Sequence, residues 1–240
     1  MMFWNRNKKE KAAAGNEKNR FDHLLSVAEK LPVEALPDLI RAIVRPVQSD
    51  FLLAVAEEGT DARPDMTPQE FFFEGLIQVQ SYEKMKEGEL DGADYPLSLA
   101  SDMVLPWPWS LTRYIDNVSH IGTRKGRPWK QDKINHYVDL WLPWRIGFVR
   151  GGNHSITAGI LAGEGTVIPE HVYDMSWLFE LVRTDGNHWF VDGQKAEAVK
   201  SGRSAAVFEI GRLLTGGVSG NPRKFRHSAL WNFLGGWSAA

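Results

Sequence analysis

The chain has no cysteine. That absence excludes a disulfide framework, thiolate metal ligands and a cysteine nucleophile together, and it fits a reducing compartment. The sequence also lacks an apolar run approaching the ~20 residues that a membrane span needs. Its first residues carry Arg6, Lys8, Lys9 and Lys11 without the apolar core of a signal peptide. The expectation is a soluble, cytoplasmic protein with no membrane span. A dominant charge is missing as well: 28 Lys and Arg stand against 30 Asp and Glu. The resulting net charge of −2 excludes a surface built wholly to sheathe nucleic acid, and leaves room for local basic patches.

What is present is a folding composition. The 240 residues are 43% hydrophobic and 24% charged, enough for one well-cored domain with a helical extension or for two small domains. Tryptophan is abundant, with ten residues, several beside proline: Pro106-Trp107-Pro108-Trp109, Pro128-Trp129 and Pro143-Trp144. Stiff, buried connections are the plain reading of these pairs; a peptide or base-stacking platform is the sharper one.

Along the chain, residues 1–19 are polar and basic and are expected to fray, with order beginning near Phe21. Phe21, Leu24, Leu25, Ala28 and Leu31 recur at helical spacing up to Pro32. Leu36, Leu39, Ile40 and Ile43 begin a second helix, and Phe51, Leu52 and Val55 a short third. Thr67-Pro68-Gln69-Glu70 has the form of a capping box and predicts a helix of about twenty residues ending near Gly88. Residues 20–99 thus form a mainly helical region.

Residues 100–240 change character. Met103–Leu105 reads as a short strand and Leu111–Ile121 as a helix. His136–Val149 is rich in strand formers, and Pro143 leaves open one strand with a bulge or two shorter strands. Val167–Tyr173 is a further strand. Trp177–Val182 and Trp189–Val191 flank Asp185-Gly186 as a hairpin would, and Ser204–Leu214 is a helix closed by Gly216-Gly217. The fold class is α+β.

The stretch that points to chemistry is Gly151-Gly152-Asn153-His154-Ser155, between a strand-like run and the helix-like Ile156–Leu161. A helix start offers unpaired N–H groups to an anion such as phosphate, and glycines permit close backbone approach. Asn153, His154 and Ser155 add donors, and His154 is either donor or general base. Arg145 and Arg150, on the strand leading in, are candidate anion partners. Glu164, beyond the helix, is a candidate basic or metal-binding carboxylate. His136, His171 and His188 follow no local ligand spacing, so the identity of any metal ligands stays unknown. Asp185-Gly186-Asn187-His188 repeats the Gly-Asn-His string, but Asp-Gly favours a turn.

Over roughly residues 100–195 the chain resembles the ParB/sulfiredoxin superfamily. There a strand ends in a Gly-x-x-Arg-type box, Gly-Cys-His-Arg in sulfiredoxins and Gly-Glu-Arg-Arg in partition proteins. Here the box falls on Gly152, Asn153, His154 and Ser155. Asn153 replaces the sulfiredoxin cysteine, which rules out sulfinic-acid reduction. Ser155 replaces the closing arginine and its bidentate grip on phosphate. Together with the Trp/Pro-rich approach, the box is most similar to that of plasmid fertility-inhibition proteins of the Osa and FiwA kind.

The resemblance implies a ParB/sulfiredoxin-like mixed sheet and inhibition of conjugative DNA transfer at coupling or substrate-entry components of a type IV secretion system. It also implies ATP hydrolysis and DNA cleavage, with ATP and Mg²⁺ as cofactors. On that reading Gly151 and Gly152 cradle phosphate, His154 is donor or base, and Asn153 and Ser155 orient the ligand. A nucleotide-gated partition-type DNA binder preferring CTP, and a non-catalytic protein-binding inhibitor, are the rivals. Two basic clusters, Arg124-Lys125-Gly126-Arg127 with Lys130 and Lys133, and Arg223-Lys224-Phe225-Arg226, are candidate nucleic-acid contacts. The tail from Leu230 to Trp237 is expected to dock on the core.

Overall fold

A computed structural model describes residues 2–62, 70–73 and 82–217. Helix α1, Met2–Ala28, continues through the segment expected to fray. Phe21 and Ala28 are buried, with Leu24 and Leu25 packed beside them, so the predicted apolar stripe is the docking face. Its partner is α7, Gly202–Leu214. Glu17 Oε2 accepts from the Gly202 amide at 2.8 Å, satisfying one of the unpaired N–H groups at that helix start. Helix α2, Leu36–Glu58, absorbs both the second and third predicted helices. Its buried positions Leu36, Ile40, Ile43, Val44, Gln48, Phe51, Leu52 and Val55 keep one stripe facing the core past Pro46.

The capping-box residues Thr67, Pro68 and Gln69 lie outside the described residues, as do Arg223, Lys224, Arg226 and the tail from Leu230 to Trp237. Glu70–Phe73 turns instead of starting a helix, and Phe71, Phe72 and Phe73 are all buried there. Helix α3, Tyr82–Glu87, does end at Gly88.

Ten short strands follow among the described residues: β1 Glu89–Leu90, β2 Leu97–Ser98, β3 Met103–Leu105, β4 Val138–Leu142, β5 Ile146–Val149, β6 Thr166–Val167, β7 His171–Asp174, β8 Val182–Thr184, β9 His188–Val191 and β10 Gln194–Ala198. Between them lie α4 Leu111–His120, α5 Asn153–Ala162 and α6 Leu178–Leu181. The main sheet has the order β1-β7-β4-β5-β3, with β4/β7 and β3/β5 parallel and β1/β7 and β4/β5 antiparallel. It is a mixed sheet, and the protein is α+β. Pro143 sits in the turn between β4 and β5, after a cis Leu142–Pro143 bond, which settles the one-strand or two-strand choice.

Strand alternation divides the core in two. Met103, Leu105, Trp141, Ile146, Phe148 and Tyr173 join α1, α2, α7 and Phe71–Phe73 in one cluster. Val104, Val138, Leu140 and Val172 join Ile156 and Ala158 of α5, Leu97, Leu99 and Trp129 in the other. The sheet is therefore the middle layer, with the helical N-terminal region on one face and α5 on the other. Val167–Tyr173 divides into β6 and β7, and Trp177–Val182 is mostly the short helix α6 in place of a strand. The Asp185-Gly186 hairpin forms as expected: β8 pairs β9, and Asp185 Oδ1 accepts from the Asn187 and His188 amides at 2.8 and 2.7 Å.

Candidate functional site: the cleft at the start of helix α5

β5 delivers the chain to Gly151 and Gly152, and α5 begins at Asn153. Gly152 is left-handed at φ +74°, and a Cβ there would lie 2.2 Å from His136 Cδ2. A Cβ on Gly151 would lie 2.6 Å from Tyr137 and 2.7 Å from the Asn135 carbonyl. The room that the glycines create is thus filled by the 135–137 segment of the protein itself. No side chain caps α5, so its first-turn amides keep their donor capacity.

Residues Gly151–Ser155 line an open cleft of about 760 Å³. Trp109, Arg113 and Asn117 form one wall, Arg127, Trp129 and Lys130 another, and Asp132, Asn135, His136 and Arg150 complete it. Trp109 is 43% exposed, unlike the buried Trp129 and Trp144. The Arg113 guanidinium lies 5.3 Å from its ring centre. Among the described residues, Arg113, Arg127 and Lys130 form no ion pair.

The box side chains have specific duties. Asn153 Oδ1 accepts from the Trp107 amide at 2.6 Å and His154 Nε2 from the Ser110 amide at 3.0 Å. Both residues hold the Pro-Trp-Pro-Trp-Ser segment against α5. Because an amide can only donate, Nε2 of neutral His154 carries the lone pair and Nδ1 carries the proton. Burial first, then the nearby Arg113 charge, keeps this ring below the ordinary histidine range. Among the described residues Nδ1 has no partner, on a side chain only 8% exposed that lines the cleft. His154 therefore presents a donor, and its basic nitrogen is already taken.

The same reasoning fixes Ser155. The Asp132 amide donates to His136 Nδ1 at 2.9 Å, so His136 Nε2–H donates to Ser155 Oγ at 2.5 Å. The Ser155 hydroxyl passes its own proton to the Gly152 carbonyl at 3.1 Å. This polarity is opposite to that of a serine nucleophile facing a histidine base. Burial lowers the His136 pKa despite the Asp132 charge, which keeps the ring neutral and the chain of bonds intact. His136 and its stacking partner Trp129, 5.1 Å away, were not assigned to the box by sequence. The separation of 19 positions between His136 and Ser155 carries no local signal, because the contact exists only once β4 and β5 pair.

The remaining predicted residues are dispersed. Arg145, at φ +56°, turns away at the far end of β5 and pairs with Asp102 at 3.1 Å and the Pro96 carbonyl at 2.7 Å. Arg150 lines the cleft, but its guanidinium bridges Asp139 at 2.7 Å and Glu170 at 2.5 Å. Lys125 bends back to cap α4, donating to the carbonyls of Val118 and Ile121. Arg124 is exposed and is not among the residues lining the cleft. Glu164 is engaged as an acceptor for the Trp129 amide and the Thr123 amide, bonds that hold its carboxyl below the usual range. These bonds give it a structural duty, and it is not among the residues lining the cleft.

Among the described residues, Asp139, Glu170 and His171 are close enough to hold a metal ion, but Arg150 already supplies the cation between the two carboxylates. His171 Nδ1 pairs with Glu89 at 2.5 Å, and His188 stands in the separate β8–β9–β10 sheet. The three histidines do not converge.

Fold and site together define an α+β protein whose mixed sheet presents an uncapped helix start to a cation-rimmed cleft. A family model covers residues 4–217, and the chain belongs to that family, DUF6710, a family of unknown function. No curated protein and no solved structure matches it. No helix among the described residues is long and apolar enough to cross a membrane.

Proposed function

We propose that the protein binds a phosphate-bearing ligand, a nucleotide in the first instance, in the cleft at the start of α5. One observation carries this reading: the uncapped helix start and the unpartnered Nδ1–H of His154 line the same cleft as the unpaired cations Arg113, Arg127 and Lys130. Amides and an imidazole donor replace the box arginine, and the rim cations supply the charge that Ser155 does not. Exposed Trp109 offers a ring to a base.

The ligand is bound and not turned over. Neither His154 nor His136 has a free basic nitrogen, the Ser155 hydroxyl is committed, and Glu164 faces the Thr123 and Trp129 amides outside the cleft lining. This favours the binding branch of the ParB/sulfiredoxin resemblance over ATP hydrolysis or DNA cleavage. Box Gly152–Ser155 at a strand-to-helix junction supports that fold assignment and, through it, inhibition of conjugative transfer through type IV secretion components as the setting in which the ligand acts.

The test is titration of the protein with ATP, CTP and inorganic triphosphate, with Arg113→Glu/Arg127→Glu as the comparison. Saturable binding, weakened in the double variant and by added salt, is expected, with nucleotide hydrolysis no faster in wild type than in His154→Ala. Absence of binding, or hydrolysis that disappears in His154→Ala, overturns the reading. In a mating assay, the double variant is expected to lose inhibition of transfer.

A further inference from the structure

The segment from Gly122 to Lys130, which carries Arg127 and Lys130 to the cleft, is a built arch. Gly122 and Arg127 exchange backbone hydrogen bonds at 2.7 and 3.3 Å, closing its base. Its two ends are held by a residue of a different element: the Glu164 carboxylate, just past α5, accepts from the Thr123 amide at 2.9 Å and from the Trp129 amide at 2.8 Å. Trp129 then plugs into α5. Its indole N–H donates to the Ser155 carbonyl at 2.8 Å. A Cβ on Gly159 or Gly165 would stand 2.8 or 2.5 Å from its ring. The first turn and the middle of α5, and the segment just beyond it, are thus shaped to receive this one side chain.

We infer that Glu164 is a positioning residue for the cleft: by clamping Thr123 and Trp129 it holds the basic arch over the start of α5, so that Arg127 and Lys130 face the ligand together. The inference rests on the reading of the cleft as an anion site. It also runs against simple electrostatics. Removing a carboxylate near an anion site should strengthen binding by relieving repulsion. Loss of a clamp should weaken it, because the cations must then be ordered at the moment of binding.

The experiment compares wild type, Glu164→Ala and Glu164→Gln in two arms. The first is limited trypsin digestion without ligand, since Arg124 and Lys125 place cleavage sites in the arch, while Pro128 protects the bond after Arg127. The second is titration with inorganic triphosphate. Cleavage within the arch is expected to quicken in Glu164→Ala, and affinity to fall about tenfold, the scale of one charge-assisted hydrogen bond. Glu164→Gln, which keeps an acceptor oxygen without the charge, should lie between the two.

Unchanged cleavage in Glu164→Ala overturns the clamp whatever the titration gives. Faster cleavage with unchanged or tighter binding overturns its role in positioning the cations. Failure of the wild-type protein to bind triphosphate overturns the anion-site reading and the positioning role with it, while the digestion arm still decides whether Glu164 holds the arch. Circular dichroism at the working temperature separates arch opening from global unfolding.

Discussion

Replacing Arg150 with alanine separates two roles that the sequence leaves indistinguishable, anion ligand and structural bridge. In the folded protein the guanidinium spans Asp139, whose side chain is 17% exposed, and Glu170, which is 39% exposed. The Asp139 Oδ1 atom is buried without a hydrogen-bond partner, so removal of Arg150 leaves that carboxylate with neither oxygen paired to the arginine. Breaking a fully buried ion pair costs about 3–5 kcal/mol, and an exposed pair about 0.2–1. With Arg150 itself 45% exposed, the intermediate figure is about 2 kcal/mol. For a chain of this size that lowers Tm by roughly 4–8 °C.

The loss depends on pH in a definite direction. Burial raises the Asp139 pKa above the ordinary carboxylate value while Arg150 opposes the rise, so without Arg150 it climbs further. An acid whose folded pKa exceeds its unfolded one takes up a proton on folding. Its destabilisation is absent below the unfolded pKa, grows as pH rises from there toward the folded pKa, and is complete above the folded one. Thermal melts of Arg150→Ala should therefore show a larger deficit at pH 8 than at pH 5, and Asp139→Asn in the same background should restore most of it. Triphosphate affinity should change less than about threefold, under 1 kcal/mol. A variant that melts like wild type, a deficit independent of pH, or a tenfold loss of affinity at unchanged Tm would refute the bridge.

Gly152→Ala should cost about 2 kcal/mol or more in denaturant unfolding, since it combines a left-handed backbone with a collision against His136; a variant as stable as wild type removes that account. Burial holds both His136 and His154 below the ordinary histidine value. The stability each confers as a neutral ring is complete above the unfolded pKa of about 6.5. It is lost as pH falls below that value, so Tm should decline between pH 7 and pH 5. The decline should be shallower in His136→Gln, and an equal slope in that variant would assign it to other groups. His154→Ala should weaken triphosphate binding about tenfold, the Nδ1–H donor being lost along with the grip on Ser110; unchanged affinity would move the ligand elsewhere in the cleft.

Much of the local structure is legible in the residues. Val and Ile density followed by two glycines marks β5 and the start of α5, and Gly163, at φ +69°, ends that helix where expected. Asp-Gly marks the β8–β9 turn. What local pattern does not carry is partnership across the sheet. Ser155 and His136 are 19 positions apart and meet only because β4 and β5 pair antiparallel. Arg145 and Arg150 read alike as strand cations, yet one pairs with Asp102 and the other with Asp139 and Glu170. The long α2 also escapes a residue-by-residue reading, because Pro46 and two apolar groupings imitate a break that tertiary packing bridges.

The His136–Ser155 contact also limits how this box can change over generations. An arginine at position 155 would need the space and the hydrogen bond that the imidazole now takes, and a larger residue at 152 is blocked by the same ring. A Gly-x-x-Arg sequence at this turn is therefore not one substitution away. Position 136 must first shrink, and the order of those two steps decides whether the intermediate still folds.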